Sequence, residues 1–200
     1  PDGYLSPQTC AAAATAALPF LVKAYLWVRR HLRRARLGLL SALAAASFLV
    51  QMLNIPLPGG TTGHAVGSVL IAIAVGVWPA VIAESAVLVV QALLFGDGGV
   101  LALGANILNM AVVMPLVGYG LYRLIAGSSE GVGRRVAAAA ISGYIALNIA
   151  ALLAAVEFGI QPYFFKDASG TPLYCPYGLE VAIPAMFVPH MTWAGAAEAL

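Results

Sequence analysis

The chain is too apolar and too sparsely charged for a soluble globular domain. Of its 200 residues, 62% are hydrophobic and only 9% are charged, whereas soluble domains carry about 25% charged residues. The formal net charge of +2 is too small to indicate a nucleic-acid partner. The length fits one domain, so we predict a single transmembrane domain over residues 1–200.

Seven apolar segments, taken in chain order, are candidates for membrane-spanning helices, which need roughly 20 apolar residues each. The segments are 10–28, 37–53, 64–78, 79–95, 101–125, 136–158 and 180–200. The third is the shortest, and its boundary with the fourth rests on Pro79, because proline is well tolerated at the first helical positions. The sequence therefore predicts an all-α, polytopic bundle of about seven membrane helices.

Basic residues concentrate in two of the predicted loops, and arginine and lysine are enriched in cytoplasmic loops. The loop 29–36 contains five arginines and His31, and the region 123–135 contains three arginines. Seven spans place both loops inside and the amino terminus outside, with only Lys166 clearly on the outer side; six or eight spans would lose this agreement. The other loops expected outside are 54–63, 96–99 and 161–177.

The sequence contains no phosphate-binding loop of the form GxxxxGK[ST], which would indicate ATP hydrolysis. Its two lysines, Lys23 and Lys166, follow valine and phenylalanine, and neither follows the required glycine. We therefore expect a protein that is not an enzyme. If it belongs to an active transporter, another chain or an ion gradient supplies the energy.

Two of the three histidines are candidates for contact with a metal ion. His64 follows a glycine- and proline-rich stretch at the predicted outer mouth of the third segment, and neutral imidazole is a ligand of nickel, copper, zinc and cobalt ions. Helix capping or packing is the alternative for His64. His190 lies inside the seventh segment, where an ionisable group usually faces the bundle interior, so it is a candidate for supporting a ligand or gating its path. A bond to a neighbouring helix is equally compatible.

Other polar residues lie inside the predicted membrane segments. Glu84 would suit a proton-coupled carrier, or it forms a structural pair. Asn106 and Asn109 are three residues apart and share a helix face, where they bond across helices or orient a ligand. Glu157 and Glu198 are further intramembrane carboxylates.

Several short motifs resemble, in the same order, those of the CbiM/NikM family. The matching stretches are PDGYLS (1–6), PGGTTGHAVG (58–67), FGDGG (95–99), GANILNM (104–110), and HM (190–191) with Gly195 and EAL (198–200). One such stretch alone is common, but several in order over most of the chain are specific. The resemblance implies a substrate-specific subunit of an energy-coupling-factor transporter for Co²⁺ or Ni²⁺ in the bacterial plasma membrane.

In that family the amino terminus folds back into the bundle and binds the ion. The ligands are the terminal amine, the amide and imidazole nitrogens of the next histidine, and the histidine that matches His64. The resemblance implies that Met-His-Ile precedes Pro1, so only His64 of this set lies in the sequence, and we also expect the last helix to continue past Leu200. The metal is then the transported substrate rather than a cofactor. The candidates for supporting its ligands or lining its path are Asn106, Asn109, Glu84, His190 and Asp97.

The resemblance also implies partners, namely a transmembrane coupling subunit and two ATP-binding subunits, with or without a small accessory membrane subunit. Because the chain resembles the shorter, cobalt-type subunits, we expect Co²⁺ to be preferred over Ni²⁺, although four nitrogen ligands suit both ions. The sequence leaves open which helix face meets the coupling subunit and whether Cys10 and Cys175 form a disulfide.

Three other functions remain as alternatives at this point. A stand-alone proton-coupled carrier would use Glu84, but such carriers often contain an internal repeat, and we find none in this sequence. A vitamin-specific capture subunit would belong to the same class of transporter. An intramembrane serine protease would use Ser142 and His190.

Overall fold

The computed structural model describes residues 2–57 and 61–200, and it consists mainly of helices. The helices are α1 (Pro7–His31), α2 (Leu37–Gln51), α3 (Ser68–Val75), α4 (Val77–Phe95), α5 (Leu103–Ala126), α6 (Val132–Gly159) and α7, which runs through Leu179–Pro189, His190–Ala194 and Gly195–Glu198. An antiparallel hairpin of β1 (Ile55–Leu57) and β2 (Thr61–Gly63) follows α2. Single helical turns at Arg34–Arg36 and Gln161–Phe164 complete the described elements.

Four of the described helices are long and apolar enough to cross a membrane. They are α1, α4, α5 and α6, the last together with the helical turn that follows it. The prediction of an all-α bundle of membrane helices is confirmed, and the helices follow one another in the predicted order. The number of helices that span a membrane and the side on which the chain begins stay predictions.

The predicted third helix, 64–78, is wrong in its extent. α3 covers only eight residues, a length of about 12 Å against a hydrocarbon core of about 30 Å. Gly67 and Gly76 bracket α3 with φ angles of +80° and +106°, a backbone region that glycine adopts readily and other residues avoid. The residues before Gly67 are irregular backbone, and α4 begins two residues before Pro79.

Polar contacts join several loops at one end of the bundle, which we call the amino-terminal end. The backbone N–H of Ser6 donates to Gln161 Oε1 at 3.0 Å, and that of Cys175 donates to the Tyr4 carbonyl at 3.1 Å. The carboxylate of Asp2 accepts hydrogen bonds from the turn before α5. These loops are among those predicted to share a side of the membrane. Whether that end faces outward stays a prediction.

Small residues allow the helices to approach one another closely, as expected in lipid, where packing rather than the hydrophobic effect drives helix association. A Cβ added at Gly118 of α5 would lie 2.5 Å from Cγ2 of Val69 in α3, so only glycine fits there. Cys10 and Cys175 are buried in the same apolar cluster, and both thiols are free.

Candidate metal centre

An internal cavity of about 100 Å³ lies between β2 and helices α4 to α7. Its polar lining residues are Thr61, Thr62, His64, Gln91, Asp97, Asn106, Asn109 and His190. The sequence predicts five of them as site candidates: His64, Asp97, Asn106, Asn109 and His190. Since about 10–15 Å³ on the same measure is enough for one water molecule, the cavity has room for an ion with a few small ligands.

His64 reaches the cavity from irregular backbone rather than from a helix. Its Nδ1 lies 3.0 Å from the carbonyl oxygen of Ala65. Because a carbonyl only accepts hydrogen bonds, Nδ1 carries the proton of the neutral ring and Nε2 keeps its lone pair. Metal-binding histidines are generally oriented in this way, through the nitrogen that does not touch the metal. Nε2 of His64 is therefore available as a ligand.

His190 presents a second imidazole to the same cavity. Its Nδ1 donates to the Met186 carbonyl at 2.6 Å, which again leaves a lone pair on Nε2. A Cβ added at Gly63 would lie 3.1 Å from Cε1 of His190, so β2 packs against this ring. His190 lies eleven residues after the start of α7 at Leu179, or roughly 17 Å along the helix. The backbone that leads to His64 therefore packs against the middle of α7.

Two buried amides that line the cavity have an unused polar atom. Gln91 and Asn109 are 3% and 4% exposed, and Nε2 of Gln91 and Oδ1 of Asn109 have no hydrogen-bond partner among the described residues. The other amide atom of Asn109, Nδ2, donates to Glu157 Oε2 at 2.9 Å and so fixes the orientation of the side chain. Because buried polar atoms nearly always have partners, these two atoms mark a place for water or a ligand. Sequence reasoning misses Gln91, which belongs to no motif.

Three helices contain a wide, π-helical turn where they border the cavity. These turns are Gln91–Phe95 in α4, Ile107–Val113 in α5 and His190–Ala194 in α7. Each contains a polar residue of the cavity, the one in α5 being Asn109. Such turns insert an extra residue into a helix and are frequent at functional sites, so the cavity is a local departure from regular helix packing.

Asp2 anchors the start of the described chain beside the cavity. Its carboxylate accepts hydrogen bonds from the backbone N–H groups of Val100 and Leu101 at 3.0 and 2.8 Å. The preceding turn forms one wall of the cavity through Gly98, whose carbonyl accepts a hydrogen bond from Asn106 Nδ2 at 3.1 Å. The amino-terminal segment thus lies against a turn that lines the cavity.

Glu84 and Ser142, which two of the alternative functions would use, do not line this cavity. Glu84 is fully buried but does not line the cavity; its carboxylate accepts hydrogen bonds from Ser47 Oγ at 2.8 Å and Gln51 Nε2 at 2.6 Å. Ser142 is also buried, and its hydroxyl has no hydrogen-bond partner among residues 2–57 and 61–200. Ser142 and His190 therefore do not form the hydrogen-bonded pair that a serine protease requires.

The described part of the chain supplies only part of a metal-ligand set. Within it, no three histidine, cysteine, aspartate or glutamate side chains converge on a point where an ion could bind. The cavity offers the two imidazoles and Asp97, whose carboxylate accepts a hydrogen bond from Asn54 Nδ2 at 2.9 Å. A tetragonal site for Ni²⁺ built from nitrogen donors needs further ligands.

Known proteins resemble the chain over its whole length. The model of one family, the cobalt uptake substrate-specific transmembrane region, matches residues 1–200. The fused nickel transport protein NikMN of Rhodobacter capsulatus is 53% identical over 199 residues, which cover 99% of this chain and 57% of that protein. The probable fused nickel transport protein LarMN of Lactiplantibacillus plantarum is 48% identical over 200 residues, covering 99% and 60% respectively. The chain thus spans less than two thirds of the length of these two relatives.

A shorter relative and two solved structures give the same result. A putative metal transport protein of Methanocaldococcus jannaschii is 44% identical over 201 residues, which cover 100% of this chain and 86% of that protein. A crystal structure of a truncated transition metal transporter has a TM-score of 0.94 and 49% identity, covering all of this chain and 92% of the other. A crystal structure of a transition metal transporter has the same score and identity with 86% of its chain covered. The chain belongs to the CbiM family, the cobalt uptake substrate-specific transmembrane region.

Proposed function

We propose that the chain is the ion-capture subunit of an ATP-driven importer of the energy-coupling-factor type, and that it binds Co²⁺ or Ni²⁺ in the cavity beside His64. The observation that carries the proposal is the imidazole of His64, which lines a cavity that His190 also lines. Backbone carbonyls hold Nδ1 of both His64 and His190, so both Nε2 atoms keep a lone pair. Imidazole nitrogen is a preferred ligand of these ions.

The irregular backbone that carries His64 supports the same proposal. Non-helical backbone at membrane depth is tolerated only where protein buries it or where it lines a cavity. In transporters such interrupted helices typically form the binding site. Residues 64–67 have this character, since they separate β2 from the short helix α3 and line the cavity through His64 and Val66.

We assign the remaining ligands to the natural amino terminus. The anchor of Asp2 on the turn that walls the cavity supports this assignment. A terminal amine, with the amide and imidazole nitrogens of a following histidine, would join Nε2 of His64 to give four nitrogen ligands. Such a set suits Ni²⁺ and related ions better than Ca²⁺ or Mg²⁺, which prefer oxygen.

We assign the energy for transport to two ATP-binding subunits that act through a transmembrane coupling subunit, with or without a small accessory membrane subunit. The resemblance to the family supports these partners. The proposed location is the bacterial plasma membrane, with the amino-terminal end outside. The arginines between α1 and α2 support this orientation, since they lie at the opposite end of α1 from Asp2 and basic loops face the cytoplasm.

The choice between the two ions depends on two opposed arguments. Resemblance to cobalt-type subunits predicts a preference for Co²⁺. A given set of nitrogen ligands, however, generally binds Ni²⁺ more tightly than Co²⁺, and two of the relatives above are named as nickel transport proteins. We propose that both ions bind and that Ni²⁺ binds more tightly. A competition titration measures the ratio, and tighter binding of Co²⁺ would restore the preference predicted from the sequence.

The test of the site is His64→Ala in the full-length protein with its native amino terminus. Calorimetric titration with Ni²⁺ should show loss of high-affinity binding, because the substitution removes one of the four proposed ligands. His31→Ala is the matched control: His31 is the exposed last residue of α1, where its ring stacks on Trp27, and its replacement should leave the affinity unchanged. Wild-type affinity in His64→Ala would contradict the proposal.

A further inference from the structure

The backbone just after His64 lacks the hydrogen bonds that a helix would give it. Residues 64–67 run through the bundle interior, where an unpaired N–H or carbonyl group is costly. The N–H of Val66 donates to Glu198 Oε2 at 2.6 Å, and that of Gly67 donates to the two oxygens of the same carboxylate at 2.9 and 3.1 Å. One carboxylate from the end of α7 thus satisfies two consecutive backbone donors.

Side chains of α2, on the side opposite Glu198, contact the carbonyl of Val66. Ser47 Oγ of α2 lies 2.8 Å from it and also 2.8 Å from Glu84 Oε2, so the single hydroxyl hydrogen is shared between these two acceptors. Gln51 Nε2 lies 3.4 Å from the same carbonyl. Glu84 of α4 orients both of these side chains through the hydrogen bonds given above. The segment between His64 and α3 is therefore held between α7 on one side and α2 with α4 on the other.

We propose that Glu198 is a positioning residue for the metal ligand His64. The inference rests on the proposed function, because it assigns Glu198 a part in ion binding without contact with the ion. Val66 is two residues from His64, and Ala65, whose carbonyl orients the His64 ring, lies between them. A shift of the Val66 peptide therefore moves both the backbone and the acceptor that set the direction of Nε2.

The first test is Glu198→Gln in the full-length protein. Glutamine has nearly the same shape, but its one neutral oxygen can replace only Oε2, and an NH₂ group in the place of Oε1 would oppose the N–H of Gly67. We expect Ni²⁺ affinity to fall by about 10- to 100-fold, the usual effect of losing a residue that orients a ligand. We also expect the d–d absorption band of bound Ni²⁺ to shift, since the ligand field changes with the direction of the imidazole. A residue that only supports folding would lower the thermal midpoint and leave this band in place.

Glu180→Gln is the matched control. Glu180 lies at the exposed start of the same helix, where its carboxylate accepts a hydrogen bond from the Tyr163 hydroxyl. This variant should keep both the affinity and the absorption band of the wild-type protein. Equal changes in the Glu180 and Glu198 variants would overturn the inference, because the effect would then come from lost charge on α7.

Ser47→Ala tests the contact on the α2 side of residues 64–67. If Glu198→Gln does not fold, this variant alone tests whether contacts to this backbone position His64. It removes the hydroxyl that lies between the Val66 carbonyl and the Glu84 carboxylate, with little change in volume, and it should shift the same band to a smaller degree. An unchanged band in whichever of the two variants folds overturns the inference. The proposed function fails separately, through wild-type affinity in His64→Ala, so the two failures are distinguishable.

Discussion

The predicted third segment, 64–78, and helix α6 are both apolar and both predict membrane helices, but they fold differently. α6 is one regular helix of 28 residues, which satisfies its own backbone hydrogen bonds. Residues 61–76, which we call the interrupted segment, comprise a strand, four irregular residues, a helix of eight residues and Gly76, which ends that helix. Its backbone accepts a hydrogen bond from a side chain of α2 and donates hydrogen bonds to a side chain of α7. His64 lies where regular secondary structure ends, and side chains of other helices supply the hydrogen-bond partners that the backbone lacks there.

Lowering the pH gives the largest expected difference between these two regions, because the interrupted segment carries a proposed ligand and α6 carries none. The proposed amine and imidazole ligands have free pKa values of about 7.7–8.0 and 6.5, and both must lose a proton to bind the ion. Affinity for Ni²⁺ should therefore fall as the pH falls from about 8 to 5.5, by at least about 100-fold from the amine alone. Calorimetry across this range measures the effect, and a flat profile would contradict the proposed ligands.

Gly76→Ala should destabilise the carboxyl-terminal end of the interrupted segment, where α3 ends. Gly76 has φ +106° and ψ 159°, a region that is essentially restricted to glycine, so alanine there should cost about 1–3 kcal/mol of stability. Gly120→Ala in α5 is the control, since Gly120 has open space around it and lies in a regular helix. Thermal unfolding in detergent compares the two variants. Equal midpoints would show that the conformation of Gly76 does not maintain the interruption.

Asp2→Ala should separate the amino-terminal segment from the wall of the cavity. It removes the acceptor of the Val100 and Leu101 N–H groups, and we expect Ni²⁺ affinity to fall about tenfold, or about 1.4 kcal/mol. Asp167→Ala is the control, because Asp167 accepts its hydrogen bonds from Ser169 and Thr171 within an exposed loop. Calorimetry measures the Ni²⁺ affinity of both variants. Equal losses of affinity would mean that the contact of Asp2 with the cavity wall does not contribute to ion binding.

Gln91→Leu gives the smallest expected effect and sharpens the description of the cavity. Its Nε2 has no hydrogen-bond partner among the described residues, so stability should hold while Ni²⁺ affinity falls by roughly two- to fivefold, the value of about one hydrogen bond. Gln161→Leu should instead lower the stability and leave the Ni²⁺ affinity unchanged. The Gln161 amide forms hydrogen bonds with Ser6, Thr9 and the Glu157 carbonyl, all of which the substitution removes. Unfolding and titration of both variants test this contrast, which would fail if Gln91→Leu destabilised the fold.

Apolar length was enough to predict the long helices. α5 and α6 lie within a few residues of the predicted segments 101–125 and 136–158, because lipid requires each spanning segment to satisfy its own backbone. The third segment was predicted as one helix because glycine is common in membrane helices, so its glycines did not indicate an interruption. The sequence does not show that Gly67 and Gly76 adopt positive φ angles, and these angles end α3 on both sides.

The sequence likewise predicted some residues of the candidate site and missed others. Imidazole chemistry and family resemblance identify His64, and polarity inside apolar segments identifies His190, Asn106 and Asn109, all of which line one cavity. Gln91 and the contact of Glu198 with Val66 could not be predicted. The first has no neighbouring motif, and the second joins residues 132 positions apart, a pairing that only the packed bundle creates. The position of Glu84 outside the cavity likewise depends on packing.

The contact between Val66 and Glu198 also sets an order of events during biosynthesis. Ribosomes add about 5–20 residues per second, so the interrupted segment emerges roughly 7–26 s before its carboxylate partner has been made. During that interval the N–H groups of Val66 and Gly67 depend on water or lipid headgroups. We therefore expect a nascent chain halted before α7 to leave this segment open to the aqueous phase, and the ion-binding region to mature last.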